Sequence, residues 1–400
     1  MMLGFLLARA GVNVAVLEKH RDFLRDFRGD TVHPSTLEIF AELGLLDEFL
    51  TLPHERADRL GGKFGDSFIN LADFSQLPTR SKFIAFVPQW HLLNFIQRHA
   101  SRYPGFEIEM QAEVVDLIEE GGKVVGVRAE TPGGSKEIRA DLVVGCDGRD
   151  STVRARAGFE VENLGAPLDV LWFSLPKAEA DTTATMGRFL PGTIFIQINR
   201  GDYWQCAYVI PKGTADRVRG EGLEAFRRKI AHAAPYFADR AGTLRDWDQI
   251  KLLTVEVDRL RRWHRDGLLC IGDAAHAMSP VGGVGINLAI QDAVAAANIL
   301  AEPLRLGTLT EADLAKVQDR REWPAKATQW LQIQIQNRVI SPTLRGDTEL
   351  EPPAPIRMLN RVRFLQRIPA RVIGLGIRPE HVRTPEHYPE SGVSGQAAAQ

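Results

Sequence analysis

Gly272 to Asn287 reads GDAAHAMSPVGGVGIN, and its flanks decide how it folds. The apolar run Leu268-Leu269-Cys270-Ile271 before it predicts a buried strand. LAIQDAVAAANIL after it predicts a helix rich in small residues. Strand, acid, glycine-rich turn and helix belong to an open α/β sheet, where ligands sit beyond the carboxyl ends of the strands. Asp273 stands at such an end. An ionised carboxylate only accepts hydrogen bonds, so it suits a ligand bearing hydroxyls, such as a sugar or polyol. Behind Pro280, the residues Gly282, Gly283 and Gly285 let backbone come close to a flat ligand. The helix then aims the positive end of its dipole at that ligand.

Two other segments have the same character. Leu3 to Ala10 reads as the back half of a helix, Gly11 as its stop, and Val12 to Leu17 as a buried parallel strand ending in Glu18. That order is the second half of a βαβ dinucleotide unit, in which the final acid accepts from a ribose hydroxyl. A solvated charge at a strand end accounts for Glu18 equally well. The first half of such a unit, a strand and a GxGxxG turn, is absent from the sequence. Ala140 to Arg154 reads ADLVVGCDGRDSTVR, a short buried strand followed by Asp147-Gly148, with Ser151 placed to cap the next turn. An acid and a glycine at a strand end suggest a ligand edge, although DG is also a common turn.

Composition bounds the function. The 400 residues carry a net charge of −2, which gives no electrostatic case for nucleic acid. Cys146, Cys206 and Cys270 are an odd set without a CxxC pair, which argues against a disulfide framework or a zinc site. Cys146 and Cys270 read as small buried residues, and a reducing cytoplasm is the natural compartment. MMLGFLLARAGV is apolar but has no positive region before it, so it does not read as a signal peptide. No apolar run reaches membrane-span length, so no integral membrane segment is expected; peripheral contact stays open.

The rest of the chain fills in the architecture. Ser35 with Glu38 suggests a capping box opening a helix over Leu37 to Phe49. Asp58 to Phe86 reads as short antiparallel strands, Trp90 to Arg102 as a helix and Phe106 to Ile118 as one strand. Residues 155 to 265 read as an α+β insert of alternating strands and an amphipathic helix, Leu223 to Ala233. Its aromatics, Trp172, Phe189 and Tyr208 among them, read mainly as core, with a minority lining an apolar pocket. Glu311 to Ile340 reads as helical, and the final SGVSGQAAAQ as disordered. The fold class is α/β: a Rossmann-like parallel sheet with an inserted α+β substrate domain and a helical C-terminal tail. The first domain takes 1–57, 87–155 and 266–305, the insert 58–86 and 156–265, and the tail 306–400.

On LARAGVNVAVLEKH, CDGRDSTVR and GDAAHAMSPVGGVGIN the chain resembles the FAD-dependent aromatic hydroxylases of the para-hydroxybenzoate hydroxylase type, over about residues 1 to 300. The resemblance implies that Glu18 binds the adenosine ribose and that Arg28 and Gln89 touch FAD. It implies that Asp147 and Gly148 serve FAD and the nicotinamide donor. Asp273 would hold ribityl or ribose hydroxyls, and Pro280, Gly285, Ile286 and Asn287 would face the isoalloxazine ring. The implied activity uses NADPH or NADH and O₂ to hydroxylate a phenol-like or other electron-rich small molecule through a flavin hydroperoxide. No residue stands out as a general base; His276 is more in place as a packed or capping group. A homodimer is left open. Because the family's first strand and phosphate turn are missing, the expectation is that a longer upstream frame supplies them. Two alternatives stand beside this reading: a flavin-dependent reductase on the same scaffold, and a truncated chain that holds no FAD. Halogenases of this fold carry a WxWxIP segment, and Cys206 and Tyr208 stand where its tryptophans would be.

Overall fold

The computed structural model describes residues 1–24, 31–65, 67–181, 185–346 and 354–388. Arg28 and the tail expected to be disordered lie outside the described residues. Helix Met2–Arg9, buried along nearly its whole length, leads into strand Val14–Glu18. That strand pairs in parallel with Phe106–Met110, placing Glu18 opposite Met110. A second parallel pair joins Val143–Gly145 to Leu268–Cys270, extended on the antiparallel side by His264–Arg265. The two pairs are separate sheets, and among the described residues no strand bridges them. Strands of a closed parallel sheet are buried on both faces; Val14–Glu18 has no fully buried residue, whereas Leu268–Cys270 is buried throughout.

The insert is built on a seven-stranded sheet. Its order is Lys251–Thr254, Leu168–Pro176, Tyr203–Pro211, Thr193–Asn199, Met186–Leu190, Arg59–Phe64 and Ser67–Asp73. The two-residue alternation of strands divides its side chains between two layers. One face brings Phe173, Phe195, Cys206 and Tyr208 against Phe226 and Ile230 of helix Leu223–Ala233. The other brings Val170, Ile194, Ala207 and Val209 against Val281, Ile335 and Ile340. This second face meets the glycine-rich loop.

Several expectations change. Phe106 to Ile118 is two strands, Phe106–Met110 and Glu113–Glu120, because Gln111 adopts φ 57° and turns the chain between sheets. The helix expected from Leu37 begins earlier, as Pro34–Glu42, with His33 as its N-cap. Pro34 is pre-set for the first helical position, which moves Ser35 inside the helix, and Glu38 accepts from the Arg80 N–H at 3.1 Å instead of closing a capping box. Gly44, at φ 73°, separates this helix from Leu46–Phe49. Cys146 is exposed, while Cys206 and Cys270 are buried. The C-terminal helix Glu311–Ile335 continues into a π-turn, Gln336–Ile340. Among the described residues one helical stretch, Val281–Leu306, is long and apolar enough to cross a membrane by composition. Two-thirds of its apolar window is buried inside the fold, and Asp292 lies on it in a buried ion pair, as befits a core helix.

Candidate functional site

The strand Leu268–Cys270 delivers the chain into a single turn, Gly272–Ala274, that carries Asp273. Helix Gly285–Leu306 starts a few residues later. Between them runs the loop whose position the site depends on, and two sets of buried polar side chains fix it.

Asn287 is the first. It is 3% exposed and uses every polar group it has. Its Oδ1 accepts from the His33 N–H and the Thr36 hydroxyl, both at 2.8 Å. Its Nδ2 donates to the carbonyls of Thr31 at 2.9 Å and Gly283 at 3.3 Å. Thr31 Oγ1 adds a bond to the Gly283 carbonyl at 2.8 Å. A Cβ on Gly283 would lie 2.6 Å from Thr31 Oγ1, and its φ is 62°, so only glycine fits there. Asn287 therefore staples the loop to the segment that precedes helix Pro34–Glu42.

The second set comes from helix Glu311–Ile335 and the turn after it. Gln329 Nε2 donates to the carbonyls of Asp258 at 2.7 Å and Ala277 at 3.1 Å. Gln332 accepts from the Ser279 N–H at 3.2 Å and donates to the carbonyls of Ser279 at 3.0 Å and Val281 at 2.9 Å. Gln336 donates to Ser279 Oγ at 2.7 Å. These three glutamines, spaced three and four apart, share one helical face. Their amides satisfy loop backbone groups that would otherwise be buried unpaired. Sequence reasoning missed them. The available signal was a polar stripe continuing from Arg321 on the inner face of a long helix.

Beneath the loop lies a buried ionic cluster. Asp292 and Arg321 are both fully buried, with Arg321 Nε donating to Asp292 Oδ1 at 2.8 Å. Asp292 Oδ2 accepts from His276 Nε2 at 2.6 Å and from the Gly272 N–H at 3.0 Å. Arg321 also reaches Glu380 at 3.3 Å. Burial alone would raise the Asp292 carboxyl, but His276 and Arg321 outweigh it and hold it below the ordinary carboxylate range. His276 is 1% exposed, with its ring 4.9 Å from that of Trp263. Its place is the frame of the turn.

Asp147 is likewise engaged in local structure. Its carboxylate accepts from Ser151 Oγ at 2.6 Å and from the Val153 N–H at 3.1 Å. Ser151 in turn caps helix Thr152–Arg156 through the Arg154 N–H at 2.9 Å. Arg154 pairs with Asp258 through two bonds, 3.0 and 3.2 Å, and Asp258 accepts from the Ala277 N–H at 3.2 Å. The DG segment is thus tied to the far side of the same loop. Gly148, at φ 90°, leaves open space where a Cβ would stand.

Asp273 differs from its neighbours. Its carboxylate accepts no hydrogen bond from the described residues, it is half-buried, and burial pushes its carboxyl above the ordinary range. It faces Gly285, where an added Cβ would meet nothing nearer than Asp273 Oδ1 and Met278 Cβ, both at 3.9 Å. The first amides of helix Gly285–Leu306 have no intrahelical acceptor. Beside them lie Ile286, half-buried, and Pro280 at the start of the turn Val281–Gly283. A carboxylate acceptor, open backbone donors and the uncrowded Gly285 fit the hydroxyl chain and flat ring of a flavin.

The other expected residues stand apart from this cluster. Glu18, half-buried, accepts from the His20 N–H at 2.9 Å, and Gln89 opens helix Gln89–Ala100. A surface hollow of about 290 Å³ lies by the Glu18 strand pair, lined by Arg21, Asp22, Trp90, Asn94, Gln97 and Met110 among others.

Known proteins settle the family. The FAD binding domain family matches residues 1–330. The chain belongs to the FAD-dependent aromatic hydroxylases. It is 34% identical over 355 residues to 6-methylpretetramide 4-monooxygenase of Streptomyces rimosus, covering 88% of this chain and 84% of that one. It is 30% identical to the rifampicin monooxygenase of Streptomyces venezuelae over 73% of this chain and 60% of that protein's length. Among solved structures, the anhydrotetracycline hydroxylase OxyS of Streptomyces rimosus superposes with a TM-score of 0.73 at 25% identity, covering 93% of this chain and 73% of that one. PqsL, a probable FAD-dependent monooxygenase of Pseudomonas aeruginosa, shares the fold at a TM-score of 0.72 and 22% identity, with 86% and 94% covered. The family's cofactor is FAD and its chemistry is monooxygenation.

Proposed function

We propose that this chain hydroxylates a phenolic substrate of several fused rings, using FAD, O₂ and NADPH or NADH. The substrate class rests on the relatives named for 6-methylpretetramide, rifampicin and anhydrotetracycline. The observation that carries the cofactor's placement is Asp273, a half-buried carboxylate without an acceptor role among the described residues, facing the open start of helix Gly285–Leu306. Bound FAD would supply the activation of O₂.

The chain's own residues do the rest. Asp273 accepts from ribityl hydroxyls. Amides near Gly285 and Ile286 donate toward negative charge on the ring, aided by the helix dipole. Pro280 and the backbone near Asn287 face the ring. Glu18 serves the adenosine ribose, Arg28 and Gln89 contact FAD, and Asp147 and Gly148 serve the region shared with the nicotinamide donor. The sheet face around Val170, Ile194 and Val209 packs against Val281, Ile335 and Ile340 and gives the glycine-rich loop an apolar backing that keeps water from it. On that face Trp172 Nε1 is buried and makes no hydrogen bond to the described residues. The reading assigns 1–57, 87–155 and 266–305 to the cofactor, 58–86 and 156–265 to the substrate, and 306–400 to the tail. It places the protein in the cytoplasm, in keeping with three unpaired cysteines. A homodimer belongs to the same reading, supported by Trp323 and Trp330, exposed seven residues apart on one helix.

The test is NAD(P)H oxidation by the FAD-loaded chain with a panel of polycyclic phenols under ¹⁸O₂. Substrate-dependent oxidation with label in the product is expected. NADPH oxidation without O₂ uptake would give the reductase reading, and no oxidation with any acceptor would overturn both.

A further inference from the structure

Between Ala354 and Gly374 the chain carries Arg357, Arg361, Arg363, Arg367 and Arg371 and no acidic residue. The segment folds as two short helices, Ala354–Arg361 and Arg367–Gly374, around the tight turn Arg363–Gln366. Its inner side is anchored. Ala370 is fully buried, and Gly374 sits so close to Leu77 that an added Cβ would lie 2.9 Å from its side chain. Gln366 Nε2 donates to the Leu359 carbonyl at 3.0 Å.

The outer side is unusual. Met358, Phe364 and Ile368 are 54%, 56% and 57% exposed, with Val362 between them at 45%. Phe68, 48% exposed on the outermost strand of the seven-stranded sheet, extends this surface. Asn360 ties it there by accepting from the Asn70 N–H at 3.3 Å. All five arginines are exposed, and Arg361, Arg363 and Arg371 form no ion pair among the described residues. The Arg367 guanidinium lies 3.7 Å from the Phe364 ring centre.

Scattered exposed apolar residues are ordinary, but a contiguous apolar group interleaved with one sign of charge marks a contact surface. A purely acidic partner would account for the arginines and leave the apolar residues unexplained. A lipid headgroup layer accounts for both. Anionic headgroups pair the guanidinium groups, and the apolar side chains enter the acyl boundary while the arginine stems extend along it. We propose that this ledge docks the protein on an anionic membrane surface. The inference is independent of the proposed substrate.

The test is flotation of the full chain with vesicles of phosphatidylcholine alone and of phosphatidylcholine and phosphatidylglycerol in equal parts. Binding to the mixed vesicles only, weakened by salt, is expected. Paired Phe364→Ser and Ile368→Ser changes should weaken it on the order of tenfold, and so should paired Arg361→Gln and Arg371→Gln. These side chains are exposed, so circular dichroism should stay that of the parent, and either pair suffices if the other misfolds. No binding to the mixed vesicles would overturn the proposal. So would equally tight binding to polyglutamate in solution, indifferent to Phe364→Ser, which would mark a site for acidic protein.

Discussion

The two ends of the candidate cofactor site are built differently. At the flavin end, every residue of Leu268–Cys270 is buried, the loop from Ala277 to Gly285 is held by Asn287 and three glutamines, and the turn before it, at Gly272 and His276, rests on the Asp292–Arg321 pair. At the end proposed for the adenosine, Glu18 closes a half-buried strand in a two-stranded sheet, where its side chain accepts from the His20 N–H and its carbonyl from the Ala112 N–H. Shape at the flavin end is set by buried side-chain bonds from distant segments, whereas the strand ending in Glu18 is half-buried and held by backbone pairing to Phe106–Met110. The first should be costly to disturb and the second should not.

The largest effect is expected from Asp292→Ala. It removes one of the two carboxylates that pair the buried Arg321 and leaves only Glu380, which costs up to about 3–5 kcal/mol. Urea denaturation would measure it, and a loss below about 1 kcal/mol would show that the cluster does not brace the loop. Next is His33, fully buried, with Nδ1 donating to the Ile373 carbonyl at 2.7 Å. Burial pushes its pKa from 6.5 down to about 4, so the folded protein resists protonation that the unfolded chain accepts. The contribution is therefore intact above pH 6.5 and is lost as pH falls toward about 4, a change on the order of 3 kcal/mol. His33→Asn should flatten the stability profile over that window. An unchanged profile would place the titration elsewhere.

How much of this could be read in the chain is uneven. GDAAHAMSPVGGVGIN shows its strand end, glycine turn and helix because those signals are local. Asp273 follows from its position alone. Asn287 was expected at the ring, yet its side chain is spent on His33, Thr36, Thr31 and Gly283, more than 250 residues distant except for the last. No local pattern encodes such partners. The glutamines of the C-terminal helix escaped for the same reason, since a glutamine on a helix face is ordinarily solvated. Gln111 hid the break between two strands because its left-handed backbone leaves no mark in an apolar alternation.

Smaller effects complete the contrast. Gln332→Ala removes the amide that pairs Ser279 and Val281, leaving buried backbone groups unpaired at a cost of about 1–3 kcal/mol. Thermal unfolding would register it, and a shift no greater than that of a surface glutamine would weaken the case for this clamp. Glu18→Gln should change stability by no more than about 0.5 kcal/mol. Its FAD dissociation constant should nonetheless rise about tenfold, through the lost charge-assisted acceptor. A large stability loss there would erase the difference between the two ends.

The most direct measurement is a fluorescence titration of FAD into the wild-type chain and the Asn287→Ala variant, under conditions where both remain folded. Saturable binding by the wild type, weakened on the order of tenfold or more in the variant, is the predicted result. Equal binding by the two, or none by the wild type, would contradict a flavin site shaped by the stapled loop.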